Sequence, residues 1–333
     1  MYFIRKILFV LLPLIAGLNV YAQTPLISQN FVANNFFNPA AVGFGLNNQF
    51  QIFYRNQFSG VGNPYKTIGF GVDFALFKNY NNEYANNFGI GVQGFSEQLL
   101  NGILQTNQLT VSISNRIFFN SKKTSYLSLG ISPTMITRNV DRAALTFGDQ
   151  YNSGRLFNAT SLEKVGSFPI LFSTNAGILY TYVSPNSFLQ IGGSTFYINR
   201  NSGNQLYLKT QSFQFVGNIN LEKKIMEDNS FFIHANYQKR VESTFLFAGG
   251  ALGIHIYSYD NAQNKLYIGC FYRSSDALVP YIGLLYNRNK IGFTYDVYQN
   301  NMTSSNLHPQ TFEFTLSTDL GRRKASLLRS IFN

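Results

Sequence analysis

Residues 67–77 read Thr-Ile-Gly-Phe-Gly-Val-Asp-Phe-Ala-Leu-Phe. Ile68, Phe70, Val72, Phe74 and Leu76 fall on one side of an extended chain, and Thr67, Gly69, Gly71, Asp73 and Ala75 on the other. This period of two is the signature of a β-strand with one apolar face. The same alternation recurs along the chain. Leu109, Val111 and Ile113 oppose Thr110, Ser112 and Ser114, and Leu127, Leu129 and Ile131 oppose Ser128, Gly130 and Ser132. Near the end, Ile291, Phe293, Tyr295 and Val297 oppose Gly292, Thr294 and Asp296, and Phe312, Phe314 and Leu316 oppose Glu313, Thr315 and Ser317. Fourteen such runs are expected, at about 47–57, 65–78, 86–97, 103–119, 124–137, 166–183, 187–199, 206–222, 229–239, 244–258, 264–274, 277–287, 289–299 and 309–320. After the N-terminal segment, no stretch shows helical periodicity.

Composition narrows what such a sheet can be. Of 333 residues, 45% are hydrophobic and only 12% charged, about half the share of a soluble domain. No later apolar run approaches the ~20 residues of a membrane-spanning helix. A cytosolic enzyme, a helical membrane protein and a disordered chain all fit this balance poorly. A secreted β-sandwich would also alternate, but its wet face should carry abundant Lys and Glu. Here the second face holds mainly Gly, Ser, Thr, Asn and Gln. An even number of roughly ten-residue alternating strands with that polarity fits an all-β transmembrane outer-membrane barrel of about 14 antiparallel strands. Lipid cannot hydrogen-bond an open strand edge, so a spanning sheet must close on itself.

The first segment reads as an address. Arg5 and Lys6 form a positive region, Ile7 to Ala16 an apolar one, and Val20-Tyr21-Ala22 a cleavage site, so residues 1–22 are expected to be a signal peptide. No cysteine follows the site, which argues against a lipid-anchored lipoprotein. Residues 23–46 lack alternation and contain Asn38-Pro39, whose proline withholds a ladder donor. They are expected to form a periplasmic or plug-like strap whose Leu26, Phe31, Phe36, Phe37 and Phe44 need burial. The barrel then occupies 47–320, and 321–333 form a basic tail.

Connection lengths orient the barrel. With periplasmic termini, the even-numbered turns should be short. They read Asn79–Ala85, Asn120–Lys123, Ser184–Asn186, Lys223–Asp228, Tyr259–Gln263 and Arg288, against Phe58–Pro64 and the long Arg138–Val165 on the other side. Positive charge gathers at the same end. Lys78, Lys122, Lys123, Lys223, Lys224, Lys265, Arg288 and Lys290 lie at these turns, and Arg322, Arg323, Lys324 and Arg329 in the tail. Five acidic residues, Glu83, Glu222, Glu227, Asp228 and Asp260, oppose these twelve. Such a rim suits docking to a periplasmic partner or to acidic headgroups, through Lys122, Lys123, Lys223, Lys224, Arg322, Arg323 and Lys324 above all. The basic residues are not interleaved with stacking aromatics, so nucleic acid is not an expected partner.

Sites for chemistry are sparse. Cys270 is the only cysteine, and His234, His255 and His308 have no metal-ligand spacing. Gly69-Phe70-Gly71 and Gly89-Ile90-Gly91 belong to alternating strands rather than to a nucleotide loop. No catalytic, metal or cofactor residue is expected. Alternation does put Arg55, Asp73, Arg273, Asp296 and Glu313 on the inward face, where they should form a structural cluster of opposite charges.

Several stretches together resemble one family. Pro25-Leu26-Ile27-Ser28-Gln29 followed by Phe37-Asn38-Pro39-Ala40-Ala41-Val42-Gly43 is similar to the opening of PorP/SprF proteins, outer-membrane components of Bacteroidetes type IX secretion and gliding machinery. Tyr54-Arg55-Asn56-Gln57-Phe58, then Pro64 and Thr67, resembles the family's Tyr-Arg-x-Gln-Trp segment, with Phe in place of Trp. Gly269-Cys270-Phe271-Tyr272-Arg273, Gly283 and Ile291-Gly292-Phe293-Thr294-Tyr295-Asp296 resemble its final hairpins, and Ser304-Ser305-Asn306 leading to Phe312-Glu313-Phe314 its last strand. The resemblance implies an outer-membrane protein without catalytic or cofactor residues. It implies a part in exporting, or retaining at the surface, cargo proteins with C-terminal sorting signals, in association with periplasmic ring components. A passive porin or hydrophobic-solute channel is the alternative. An outer-membrane hydrolase would need a serine beside His234 or His255, which no feature of the sequence supplies.

Overall fold

The computed structural model describes residues 27–43, 48–60, 62–76, 88–120, 124–150, 161, 168–199, 213–226, 229–240, 243–256, 264–274, 276–299 and 309–320. The expected signal peptide, the basic tail, Lys122 and Lys123 lie outside these residues.

Fourteen strands form one closed antiparallel barrel in which each neighbour in sequence is a neighbour in the wall, and β14 returns to β1. They are β1 Gln49–Ser59, β2 Tyr65–Leu76, β3 Phe88–Leu99, β4 Leu104–Phe118, β5 Ser125–Val140, β6 Leu171–Val183 and β7 Ser187–Phe196. The second half comprises β8 Gln214–Lys224, β9 Ser230–Arg240, β10 Thr244–Ile256, β11 Asn264–Arg273, β12 Ala277–Tyr286, β13 Asn289–Tyr298 and β14 Gln310–Asp319. The seam pairs Gln49 with Asp319 through to Asn56 with Phe312, then shifts register before Ser59. Phe58, at φ 60°, takes up that irregularity. Closure leaves no open strand edge, as a lipid environment requires.

Two expected boundaries move for local reasons. β6 starts at Leu171 rather than 166, after Pro169, which lacks the ladder donor. β7 stops at Phe196 rather than 199, because Tyr197 turns into the left-handed region at φ 59°. β8 starts at Gln214, and the expected run before 213 lies outside the described residues.

The phase of the alternation decides which face meets lipid. Ile68, Ile113, Ile131 and Leu252 are each about half exposed, and they belong to an apolar face that runs round the outside of the barrel. An uncovered belt of that kind would be an aggregation hazard in water and is the expected surface in hydrocarbon. Among the described residues no helix is long and apolar enough to cross a membrane. On the inner face, Gln93, Thr110, Ser112, Ser114, Ser128 and Asn175 are buried.

Candidate functional site

Residues 27–43 lie inside the barrel and are buried almost throughout. Two short 3-10 turns, Asn34–Phe36 and Pro39–Ala41, fold the segment into a plug. Asn38 starts the second turn by accepting a hydrogen bond from the Ala40 amide (2.9 Å), with proline at its first position, where a missing N–H costs nothing.

At one end of the plug, Glu313 on β14 receives the backbone amides of Ser28 and Gln29, both at 2.7 Å. Arg55 on β1 donates to Glu313 (3.0 Å), to the Ser28 hydroxyl (2.8 Å) and to Asp296 on β13 (2.9 Å). Asp296 also receives Arg273 from β11 (2.8 Å), and Arg273 reaches Asp276 (2.6 Å). Four of the five inward charges expected from alternation thus meet in one chain of ion pairs that ends on the plug backbone. Arg55, Asp296 and Glu313 are at most 1% exposed. A charge so deeply buried is tolerable only when paired and hydrogen-bonded.

The fifth, Asp73 on β2, stands apart. It accepts from the Asn35 side chain (3.3 Å) and from the Gly43 backbone, near Arg116 of β4. At this other end of the plug the Val42 carbonyl accepts from Ser114 (2.7 Å) and Arg116 (3.4 Å). Between these ends, Asn34 donates to Gln190 (2.7 Å) and Asn38 to the Ile178 carbonyl (3.1 Å). Phe31 enters a box of Phe232, Phe271, Tyr281 and His234, with ring centroids 5.2–5.3 Å away.

Glycines on the inner wall make room for this. A side chain at Gly89, Gly130, Gly177 or Gly292 would collide with Val42, with the Pro39–Ala40 backbone, with Asn38 or with Gln29 respectively. They are the footprint of the plug on the wall.

Three residues assigned to the basic rim belong inside instead. Lys265 donates to Glu222 (3.1 Å), which also receives Ser230 and Tyr267; Lys265 and Glu222 are at most 1% exposed. Lys290 is likewise buried. All three sit at strand ends, where a turn and an inward position cannot be told apart by sequence alone. Lys223 stays exposed and Lys224 half-buried. Sequence reasoning missed the inward charges Arg116, Glu222, Lys265 and Lys290. It also missed the inward aromatics Phe188, Phe232, Tyr267, Phe271 and Tyr281, although each lies in phase with small or polar inner residues. Among the described residues no group of His, Cys, Asp and Glu is arranged to hold a metal ion.

A closed fourteen-stranded sheet with an apolar outer belt and a polar lumen filled by its own N-terminal segment is an outer-membrane β-barrel of the plugged kind. The family model described as "Type IX secretion system membrane protein PorP/SprF" matches residues 19–318, nearly the whole chain. The chain belongs to the PorP/SprF family and is a membrane component of type IX secretion in the cell outer membrane.

Solved structures with a similar barrel include a Pseudomonas aeruginosa FadL homologue, at 10% identity and TM-score 0.47, covering 90% of this chain and 95% of that one. The CymD monoaromatic hydrocarbon channel aligns at 8% identity and TM-score 0.46, over 92% and 96% of the two chains. The KdgM porin aligns at 11% identity and TM-score 0.38, over 81% and 99%. At such scores these likenesses carry no argument about transport. No curated protein matches the chain.

Proposed function

We propose that this protein is a non-enzymatic component of type IX secretion that assists export or surface retention of cargo proteins carrying C-terminal sorting signals. The observation that carries this reading is the family match over residues 19–318. The plugged lumen supports it, since a barrel filled by its own segment is better suited to holding a partner on a stable platform than to passing solute. The charge network has a structural role in this reading: it fixes the plug and does no chemistry. Periplasmic ring components would dock at the basic rim, through the exposed Lys223 and its neighbour Lys224. Lys122, Lys123, Arg322, Arg323 and Lys324, outside the described residues, complete the proposed surface.

The test is to compare the surface and secreted proteomes of a strain with and without this gene. Selective loss from the surface of proteins with C-terminal signals supports the proposal, and unchanged cargo display overturns it. Bilayer recordings of the purified barrel address the channel alternative. A steady open conductance for the intact chain would favour the porin reading.

A further inference from the structure

Two prolines stand inside strands of the closed wall, Pro133 in β5 and Pro280 in β12. A proline has no ladder donor, so in sheets it is normally confined to edges and bulges. This barrel has no edge, and the ladder shows the consequence. β4 and β5 pair from Leu104–Val140 to Thr110–Thr134 and resume at Ile113–Ile131, skipping Val111 and Ser112 opposite Pro133 and Ser132. β12 and β13 pair at Leu278–Val297 and resume at Tyr281–Thr294, skipping Val279 and Pro280 opposite Asp296 and Tyr295. On their other sides both prolines lie in unbroken ladders, Pro133 beside Thr174 and Pro280 beside Cys270. The missing donors therefore face Val111 and Tyr295, whose carbonyls lose the N–H they would have accepted. Apart from the register shift at the seam, these are the only breaks among the described strand pairs.

Both prolines are exposed on the lipid-facing side, where no water replaces the lost bond. Pro133 is eight residues from the Ser125 end of β5 and Pro280 six from the Tyr286 end of β12, ends that open on the same rim. The two breaks thus lie at similar depth on roughly opposite sides of the ring. They divide it into an arc of six strands, β13 to β4, and one of eight, β5 to β12.

Inside the lumen each line is crossed by side chains next to the break. The Thr110 and Thr134 hydroxyls share a hydrogen bond (2.9 Å) between β4 and β5. Arg273 of β11 reaches over β12 to Asp296 of β13 (2.8 Å). Asp296 is in turn held by Arg55, which also binds the Ser28 hydroxyl of the plug. The plug touches both arcs. Its amino end is fixed to Glu313 on the six-strand arc, while Phe31 packs on Phe232, Phe271 and Tyr281 of the eight-strand arc.

We infer that the two proline lines are hinges on which the arcs shift against each other, and that the seated plug locks them. A ladder short of one bond opens locally at lower cost than an intact one. Each line is then an element with a closed and a loosened state, and the plug makes its full set of contacts only with the closed one. Arg55 and Asp296 carry the coupling, because the same two side chains hold the plug's end and brace β12 against β13. The segment controls the lumen twice, by filling it and by fixing the shape of its wall. This device does not depend on the proposed cargo role, so either can fail alone.

The test is hydrogen-exchange mass spectrometry on the full mature chain in detergent micelles, beside a chain lacking residues 27–43. The double variant Pro133→Val/Pro280→Val is made in each. Valine restores the amide and keeps an apolar β-branched side chain towards lipid. Heat-modifiable migration on gels establishes that each chain is a folded barrel. Without the plug, amides of β4–β5 and β12–β13 should exchange about tenfold faster than in the full chain, a change of the size one hydrogen bond contributes. Those of the unbroken β7–β8 pair should change little, and valine at both positions should abolish the difference. Should the shortened chain fail to fold, Gly177→Leu, which collides with Asn38 of the plug and lies on neither line, gives the same comparison. Uniform acceleration around the ring, no acceleration, or acceleration at the two lines that survives the valine changes would overturn the inference.

Discussion

Arg55 divides its guanidinium between Asp296 and Glu313 at 2.9 and 3.0 Å, inside a lumen that excludes water from all three. Removing one member of such a group strands its partners, which costs about 3–5 kcal/mol, more than the pair itself contributes. Arg55→Met should therefore destabilise the barrel by roughly that amount in urea titrations followed by heat-modifiable migration. Arg55→Met combined with Glu313→Gln should be less harmful than the sum of the two changes, because the second relieves an unpaired carboxylate. A strictly additive result would show that the two side chains do not act as a unit. On the opposite face the rule is simpler. Ile131 is 53% exposed near the middle of β5, and Ile131→Arg should cost about 2–4 kcal/mol in the same assay, as charge does at the bilayer midplane.

At the scale of the element, the plug is held by its two ends and by glycine spaces in the wall. Gly130 lies against the Pro39–Ala40 backbone, so Gly130→Leu cannot coexist with the present course of the segment. The outward face and strand pairing of β5 do not depend on that position, and the barrel itself should still form. The expected outcome is a folded barrel with raised or flickering conductance in planar bilayers, and a larger increase when residues 27–43 are deleted. Unchanged conductance in both variants would mean that something besides the plug closes the lumen. Fourteen strands were legible because each carries its own alternation, a local signal. The plug's residues were legible as a non-strand with apolar side chains. Its path was not, since no periodicity links Phe31 to a box built from β9, β11 and β12.

At the scale of the whole molecule, the proposed basic rim loses members. The structure turns Lys265, Lys290 and Glu222 inward, so a periplasmic field would come from fewer rim residues, with Lys223 and Arg288 exposed among those described. A field of this kind extends about 8 Å at physiological ionic strength and acts more on association rate than on affinity. Truncation after Gly321 removes Arg322, Arg323, Lys324 and Arg329 and leaves all fourteen described strands whole. The barrel should assemble normally, while copurification of ring components falls, and falls further as salt rises. Undiminished copurification at low and physiological salt would assign the tail no part in docking.

The sequence by itself determined the number of strands, which residues face lipid, and that the sheet must close, because a period of two and the hydrogen-bonding demands of a bilayer act on each strand separately. It also put Arg55, Asp73, Arg273, Asp296 and Glu313 on the inner face. Which of them meet was decided only by the tertiary structure. The Ser28 amide finds Glu313 across a separation of 285 residues, and Asp73 goes to Asn35 and Gly43 instead of joining the other four. Alternation fixes the side of the wall on which a residue stands. It says nothing about what stands opposite across a lumen, where the plug, the glycine spaces and the buried pairs have to fit all at once.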